Sequence, residues 1–282
     1  MKLVILGDSH TKALSDALAA EPPVEGLQIE CKPICSGVAF RSRFHEVGPQ
    51  GVTFVDPRHR ERLAMLSGSP VFVSSPDVTY GLVMGFHTAA ICRNRTWTRH
   101  APAGVATRLG LQAVSTQVIR EISLHEKRNV FAFFDDLKAA GVRFFAISAP
   151  QPRRSHPCLR QGIGEATLLA VDRLVREICA EKLQADGIAA CLPPREAEDG
   201  DGFLLPKYEQ RQEGDDHHAN AAYGAIMLRR AIHAAAGTDA LRPDPAPGPA
   251  GPEAPAENDG GAKRRRVRDK LKVLLGRPSG AA

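Results

Sequence analysis

The sequence of 282 residues contains little of what marks a membrane, exported or fibrous protein. No stretch approaches the ~20 consecutive apolar residues that a membrane-spanning helix needs. The N-terminal segment 1–7 has one charged side chain and a short apolar run, whereas a signal peptide needs roughly 7–15 apolar residues and a cleavage site. We therefore predict a buried strand here and a cytoplasmic protein. Hydrophobic residues make up 43% and charged residues 24%, which excludes a wholly disordered chain.

The six cysteines lack the spacing of a metal site or of a disulfide framework. Cys31 and Cys35 lie four apart, and no histidine-rich motif is near them. We expect reduced thiols, no metal and no cofactor. The phosphate-binding motifs G-x-x-x-x-G-K-[ST] and G-x-G-x-x-G are also missing after the first predicted strand. A phosphate-binding protein is therefore the least favoured alternative.

Strands and helices are predicted to alternate along the first 236 residues. Short apolar runs bounded by glycine or proline predict strands at 3–6, 27–34, 79–86, 142–148 and 188–192. Apolar residues at helical spacing predict helices at 11–21, 58–66, 112–140, 165–184 and 220–236. This alternation favours an α/β domain with a parallel sheet. Such sheets bind ligands beyond the carboxyl ends of their strands, so functional residues are expected just after each strand.

The composition changes after the last predicted helix, which predicts three parts. Residues 1–240 form the folded domain, and 241–262 are rich in proline, glycine and alanine and form a linker. Residues 263–282 hold eight Lys and Arg against one Asp. This tail therefore has a net charge of +7, and the remaining residues have a net charge of −2. Together they give the formal net charge of +5.

The basic tail places Val267, Leu271, Leu274 and Leu275 on one face of a short amphipathic helix. Such a helix suits an anionic membrane surface, which would make the protein peripheral at the inner face of the membrane. An acidic protein partner suits it equally, and a basic end without a specific partner is a third alternative. Specific nucleic-acid binding is not expected, because the tail has no aromatic side chain for stacking.

The first strand is followed directly by Gly7-Asp8-Ser9-His10 and then by a predicted helix. A serine at this position lies at the positive end of the helix dipole, beside free backbone N–H groups. That geometry favours an oxyanion or a phosphate. The alternative is that Ser9 only caps the helix, since serine is a favoured capping residue.

A second polar block, Asp215-Asp216-His217-His218, follows the fifth strand and leads into the last helix. The spacing of three between Asp215 and His218 lets a carboxylate reach the imidazole on the same turn. It would fix the tautomer and leave the other ring nitrogen facing a nucleophile. The alternative is an acidic cap followed by solvated histidines. Two such blocks at the carboxyl ends of strands in one sheet favour the first interpretation.

Together the two blocks resemble the SGNH (GDSL-type) hydrolase superfamily. Its first block corresponds to Gly7-Asp8-Ser9 and its last block to Asp215-x-x-His218-x-Asn220. The resemblance covers about residues 1–236. It implies a flavodoxin-like three-layer α/β/α sandwich with a central, mostly parallel five-stranded sheet. It also implies that Ser9 is the nucleophile, His218 the base and Asp215 its orienting partner.

The resemblance implies an oxyanion hole made by Ser9, Gly37 and a third donor. Gly37 follows the second strand, where the family's second block supplies a glycine. The third block is normally Gly-x-Asn, but this chain has Gly85-Phe86-His87. His87 could donate an N–H in place of the amide if its tautomer allows it, or the site could be modified or inactive. Asn94 is a less favoured substitute.

The predicted substrate contacts are Asp8 and His10 beside the nucleophile, and Asn94 and Trp97 after the third strand. A tryptophan among arginines suits a sugar or an anion, although the segment 92–100 could also be a solvated surface loop. The polar run 153–156 after the fourth strand is a similar case.

From the resemblance we expect a serine esterase that acts on a small-molecule or carbohydrate ester with a small acyl group. The alternatives are an O-acyltransferase acting on a carbohydrate and a non-catalytic binding module.

Overall fold

Nine strands and eight α-helices lie within residues 1–237, the part of the chain that the computed structural model describes. The strands are β1 (Lys2–Gly7), β2 (Gln28–Pro33), β3 (His45–Gly48), β4 (Gly51–Phe54), β5 (Val78–Val83), β6 (His100–Pro102), β7 (Gln112–Val114), β8 (Phe144–Ile147) and β9 (Ala190–Cys191). The helices are α1 (Thr11–Ala20), α2 (Pro57–Ser67), α3 (Ala89–Cys92), α4 (Ala103–Leu109), α5 (Thr116–Ala139), α6 (Pro157–Arg160), α7 (Glu165–Ala185) and α8 (Ala221–Ala235).

The central sheet has five parallel strands in the order β2-β1-β5-β8-β9. If these five strands are numbered 1 to 5 along the chain, they lie side by side in the order 2-1-3-4-5, which is the flavodoxin-like order. The chain reverses its direction of travel across the sheet between β1 and β5. In sheets of this kind the crevice beyond the carboxyl ends at that point is where ligands bind.

Both faces of the sheet are covered, because the side chains of β1 alternate between two apolar clusters. Val4 and Leu6 pack in the cluster that includes the buried residues of α2, α5 and α7. Leu3 and Ile5 pack in the cluster that includes those of α1 and α8. The predicted three-layer α/β/α fold is therefore confirmed.

Two glycines allow parts of the chain to approach unusually closely. A Cβ on Gly7 would lie 2.2 Å from the carbonyl oxygen of Val83, at the carboxyl ends of β1 and β5. A Cβ on Gly224 in α8 would lie 1.9 Å from the carbonyl oxygen of Ala13 in α1. No other residue type fits either place without a shift of the backbone, so α1 and α8 touch at Gly224.

The structure differs from the sequence-based prediction in its smaller elements. The hairpin of β3 and β4 and the parallel pair of β6 and β7 were not predicted, because strands of three or four residues carry too little periodicity. The helix predicted over 112–140 begins only at Thr116, where the Ser115 hydroxyl caps it. The strand predicted over 79–86 ends at Val83, and Gly85 then turns the chain at a φ of 90°.

Within residues 1–237, no helix combines the length and the apolar character that crossing a bilayer requires. The predicted linker (241–262) and basic tail (263–282) lie outside the described residues, so the predicted division into three parts stays a prediction.

Candidate active site

Ser9 lies in the turn between β1 and α1, on the edge of the crevice between β1 and β5. Its neighbour Asp8 continues the strand pairing, donating its N–H to the carbonyl of Val83 at 3.1 Å. The chain then turns sharply, since the N–H of Thr11 already bonds back to the carbonyl of Asp8. The fully buried strand and the start of the helix therefore fix the position of Ser9 through the backbone.

A continuous series of hydrogen bonds joins the two polar blocks of the sequence. Nε2 of His218 lies 2.8 Å from Oγ of Ser9, 209 residues away in the chain. Nδ1 of the same ring lies 2.9 Å from Oδ2 of Asp215. Because a carboxylate can only accept, Nδ1 carries the proton, and Nε2 is left with a lone pair facing the serine hydroxyl.

The loop before α8 places His218 through hydrogen bonds of its own backbone. The carbonyl of His218 accepts the N–H of Gln210 at 3.0 Å, and Glu209 pairs with Ala219 in an antiparallel bridge. Asn220 caps α8 by accepting the N–H groups of the first helical turn. Its amide also donates to the carbonyl of Glu209 at 3.1 Å. Asn220 therefore joins the loop to the helix.

Arg153 is buried beneath this loop and holds it from the other side. Its guanidinium donates to the backbone carbonyls of Gln210 (2.7 Å), Asp215 (3.1 Å) and His218 (3.2 Å). It also lies 3.4 Å from the carboxylates of Asp215 and Glu209. The planar guanidinium has several N–H donors, so this one side chain binds three segments of the loop at once.

The environment keeps His218 neutral and Asp215 ionised at neutral pH. Burial lowers the pKa of His218 below its ordinary value, and the adjacent imidazole of His217 lowers it further, against the opposing effect of Asp215. Burial alone would raise the pKa of Asp215, but the N–H groups of His218 and His217 and the His218 ring outweigh burial and lower it. The pair thus has the protonation states of a base and its orienting carboxylate.

The N–H groups of Ser9 and Gly37 have no protein acceptor within residues 1–237. Gly37 begins a short 3₁₀ helix after β2, and a Cβ on it would lie 3.4 Å from both Oδ2 of Asp8 and Nδ1 of His87. The predicted oxyanion residues are therefore neighbours, as expected for the carboxyl ends of adjacent strands.

His87 lies in this group as a neutral ring. Burial, and then the charge of Lys127, lower its pKa to about 3. Its ring centroid is 5.1 Å from that of His10. A neutral imidazole has one N–H donor and one acceptor, so His87 can donate a single hydrogen bond.

His10 and Asp8 are buried rather than open to solvent. The His10 ring packs 4.9 Å from the His218 ring, and neither of its nitrogens has a partner within the described residues. Oδ1 of Asp8 accepts the N–H of His10 at 2.9 Å. Burial raises the pKa of Asp8 to about 7.

The prediction that Trp97 and Asn94 contact substrate is not supported by the structure. Trp97 is buried in the core, where its indole N–H donates to the carbonyl of Ile91 at 2.8 Å. The Asn94 side chain accepts the N–H of Thr96 and caps a short 3₁₀ helix. Neither side chain lines the two cavities that His87 borders.

Lys127 was not predicted from the sequence as a residue of the site. Arg93 was not singled out, and Arg153 was not assigned a role. Lys127 is on α5 and Arg93 follows α3, and both line the cavity beside Gly37 and His87. Arg93 belongs to the polar segment after the third predicted strand, and this segment was the signal in the sequence that could have pointed to Arg93. Lys127 lies within a long amphipathic helix and gives no such indication.

Asp215, His217 and His218 are also the single group of candidate metal ligands found in residues 1–237, with ligand atoms within 4.8 Å of one another. Asp215 and His218 already bond to each other in this group. The N–H groups of His217 and His218 occupy the other carboxylate oxygen. Asp215 and His218 are thus already engaged with each other, and Nδ1 of His217 lies 3.1 Å from Oδ1 of Asp216.

No protein-family model and no curated protein match this chain. Among solved structures, it matches a GDSL-like lipase from Bacteroides thetaiotaomicron at 12% identity, over 83% of this chain and 88% of that one, with a TM-score of 0.41. It also matches an acetylxylan esterase of Geobacillus stearothermophilus, solved as a catalytic mutant, at 14% identity over 86% and 97% of the two chains, with a TM-score of 0.38.

A further match is an α/β hydrolase from the metagenome of Lake Arreo, with 18% identity, 86% of this chain and 96% of that one covered, and a TM-score of 0.36. Two of these three structures are named as a lipase and an esterase, and the third as an α/β hydrolase. The chemistry of this chain is inferred from its own side chains.

Proposed function

We propose that this protein is a serine esterase of SGNH type, which hydrolyses a carboxylic ester through an acyl-serine intermediate. The observation that carries the proposal is the hydrogen-bonded series from Ser9 through His218 to Asp215. It lies at the carboxyl ends of the parallel strands, where a substrate has access to a sheet of this type.

In the first half of the reaction, Nε2 of His218 takes the hydroxyl proton of Ser9 as Oγ attacks the ester carbonyl carbon. Asp215 holds the ring in the required tautomer and stabilises the imidazolium that forms. The tetrahedral intermediate collapses, and His218 gives its proton to the leaving alcohol. In the second half, His218 removes a proton from water as its oxygen attacks the acyl carbon. The second tetrahedral intermediate then collapses, His218 returns the proton to Oγ of Ser9, and the acid is released.

The oxyanion would be held by the N–H groups of Ser9 and Gly37 and by the single N–H of His87. The two backbone donors are free of protein acceptors within residues 1–237, which supports this role. By analogy with measured oxyanion holes, each donor is worth roughly 2.7–4 kcal/mol of transition-state stabilisation. The low pKa of His87 supports a neutral donor, which would hold the oxyanion without releasing a proton to it.

A short acyl group on a polar or sugar alcohol is the substrate that we favour. A cavity of about 20 Å³ lies between the rings of His10, His87 and His217, which is room for roughly one water-sized group. A long acyl chain would not fit there. Where the acyl group occupies this space rather than the larger cavity beside Gly37, the small size supports an acetyl-like group.

The test is labelling with a fluorophosphonate probe together with turnover of a panel of acetyl esters. We expect the wild type to be labelled and Ser9→Ala to lose both labelling and turnover. Ser155→Ala is the matched control, because Ser155 is an exposed serine on a loop, and it should behave as the wild type. Wild-type turnover by Ser9→Ala would overturn the proposal, and absence of labelling with no turnover of any ester would favour a binding module.

A further inference from the structure

A cavity of about 230 Å³ lies next to the proposed oxyanion residues, with Gly37 and His87 in its wall. It is smaller than the roughly 300–1,000 Å³ of pockets for drug-sized ligands. Three cationic side chains, Arg41, Arg93 and Lys127, line it as well. Its size and position suit a part of the ester substrate that lies beyond the reacting carbonyl.

Lys127 brings a buried positive charge to this cavity without an ion-pair partner. The residue is 8% exposed, and its ammonium group donates to the backbone carbonyl of His87. No carboxylate of residues 1–237 forms a salt bridge with it, although an ammonium group has three donors. Buried charges are normally paired, because an unpaired one is costly to remove from water. Burial lowers the pKa of this ammonium group, against opposing effects that include those of Asp8 and Glu126. An anion bound in the cavity would stabilise its charged form further.

The two carboxyl groups in the cavity wall do not supply this anion. Glu126 is engaged by Arg41, with a nitrogen–oxygen distance of 3.4 Å. Asp8 is deeply buried, and burial raises its pKa to about 7, so that much of it is neutral at that pH. Arg93 is exposed, and its side chain forms no hydrogen bond or ion pair among the described residues. Lys127 and Arg93 thus line the cavity without a salt bridge of their own among the described residues, although Asp8 and Glu126 act on Lys127 through space.

We propose that Lys127 and Arg93 bind an anionic group, a carboxylate or a phosphate, that the ester substrate carries. An arginine fork matches the oxygens of either group, and a lysine adds a point charge. This inference rests on the proposed esterase function and adds its substrate class: anionic esters are preferred to neutral ones.

Two pairs of model esters test the preference on both sides of the ester bond. The first pair is 4-acetoxybenzoate and its methyl ester, which differ in the charge of the alcohol part. The second is the mono-4-nitrophenyl ester of glutaric acid and 4-nitrophenyl pentanoate, which differ in the charge of the acyl part. For each pair the measured quantity is the ratio of kcat/KM for the anionic ester to that for the neutral one.

Arg93→Gln and Lys127→Met should lower this ratio by about tenfold or more in the pair that reaches the cavity, as loss of a charged contact does. Lys127→Arg, which keeps the charge, should retain most of the ratio. The matched control is Arg95→Gln, an exposed arginine of the same segment that does not line the cavity, and its ratio should equal that of the wild type. Because Arg93 is exposed, its variant remains informative even if Lys127→Met does not fold.

Calorimetry with glutarate and inorganic phosphate separates failure of this inference from failure of the proposed function. Binding that is weakened in Arg93→Gln supports the anion site, even if no ester is hydrolysed. Ester turnover with equal ratios in the wild type and Arg93→Gln, together with no anion binding, would overturn the anion site and leave the esterase proposal standing.

Discussion

Ser9 and His218 meet at one hydrogen bond of 2.8 Å, but the structure holds them in different ways. Ser9 is placed by regular secondary structure, between a buried strand and the helix that follows it. His218 lies in a loop whose place depends on side chains, above all on the guanidinium of Arg153 and the cap of Asn220.

This difference indicates how each half of the site should respond to substitution. A position fixed by the backbone of a sheet changes little when a neighbouring side chain is altered. A position fixed by one buried guanidinium depends on that group, because several hydrogen bonds to the loop are lost together when it is replaced. We therefore expect turnover to be most sensitive to substitutions in the loop that carries His218.

Among substitutions in the loop that carries His218, Asp215→Asn should have the largest effect on turnover. The variant keeps the shape but allows the wrong tautomer of His218, so kcat should fall by about 10⁴-fold. Steady-state kinetics on an acetyl ester measures the loss. Asp216→Asn is the matched control, because Asp216 bonds to His217 and Arg160 rather than to His218. Similar activity of the two variants would show that Asp215 does not orient the base.

Arg153→Lys should have the next largest effect. A lysine cannot reach the carbonyls of Gln210, Asp215 and His218 at once, and a displacement of about 1 Å can cost roughly 10²-fold in rate. We expect a fall of that size in kcat, together with a lower melting temperature. The control is Arg154→Lys, since Arg154 forms exposed ion pairs with Asp199 and Asp201. If Arg153→Lys kept the wild-type kcat, the loop would have another support.

The pH profile of kcat/KM on a neutral ester should have its acid limb below the ordinary histidine pKa of about 6.5. His218 must be neutral to accept a proton, so activity rises with pH through its pKa, which burial and His217 lower. Replacing His217 by Gln removes one of these causes and should move the limb to higher pH. A limb above 6.5 in the wild type would contradict the assignment.

Asp8→Asn should have the smallest effect on turnover and a measurable effect on stability. Burial raises the pKa of Asp8 from 3.8 to about 7 in the folded protein. Stability from the protonated form is therefore present at low pH and is lost as the pH rises to about 7. Between pH 4 and 8, the melting temperature of the wild type should fall relative to that of Asp8→Asn. A constant difference between the two would argue against the raised pKa.

The sequence predicted the five central strands from short apolar runs bounded by glycine or proline, and five of the helices from apolar residues at helical spacing. It also predicted the pairing of Ser9 with His218 and Asp215, since two short blocks at known points of a parallel sheet are enough for that. The blocks identify the residues at the ends of the strands, and the geometry of the sheet then brings them together.

Arg153 and Lys127 could not be assigned their places in this way. Nothing in an isolated arginine or lysine tells whether it is solvated or buried, and most are solvated. Their positions depend on how a loop crosses the sheet and on the rotation of a long helix. The burial of Trp97 could not be predicted for the same reason, because it depends on packing that no local pattern encodes.

The contact between Gly224 and Ala13 brings together the two helices that follow Ser9 and His218 in the chain. α1 begins two residues after Ser9 and α8 begins three residues after His218, so the missing methyl group at Gly224 sets how near the two reactive atoms can come. Both helices belong to one layer of the sandwich, whereas Lys127 comes from α5 in the other. Under the proposed mechanism, Ser9 and His218 thus adjoin the helices of one layer, and the proposed anion-binding residue Lys127 comes from a helix of the other.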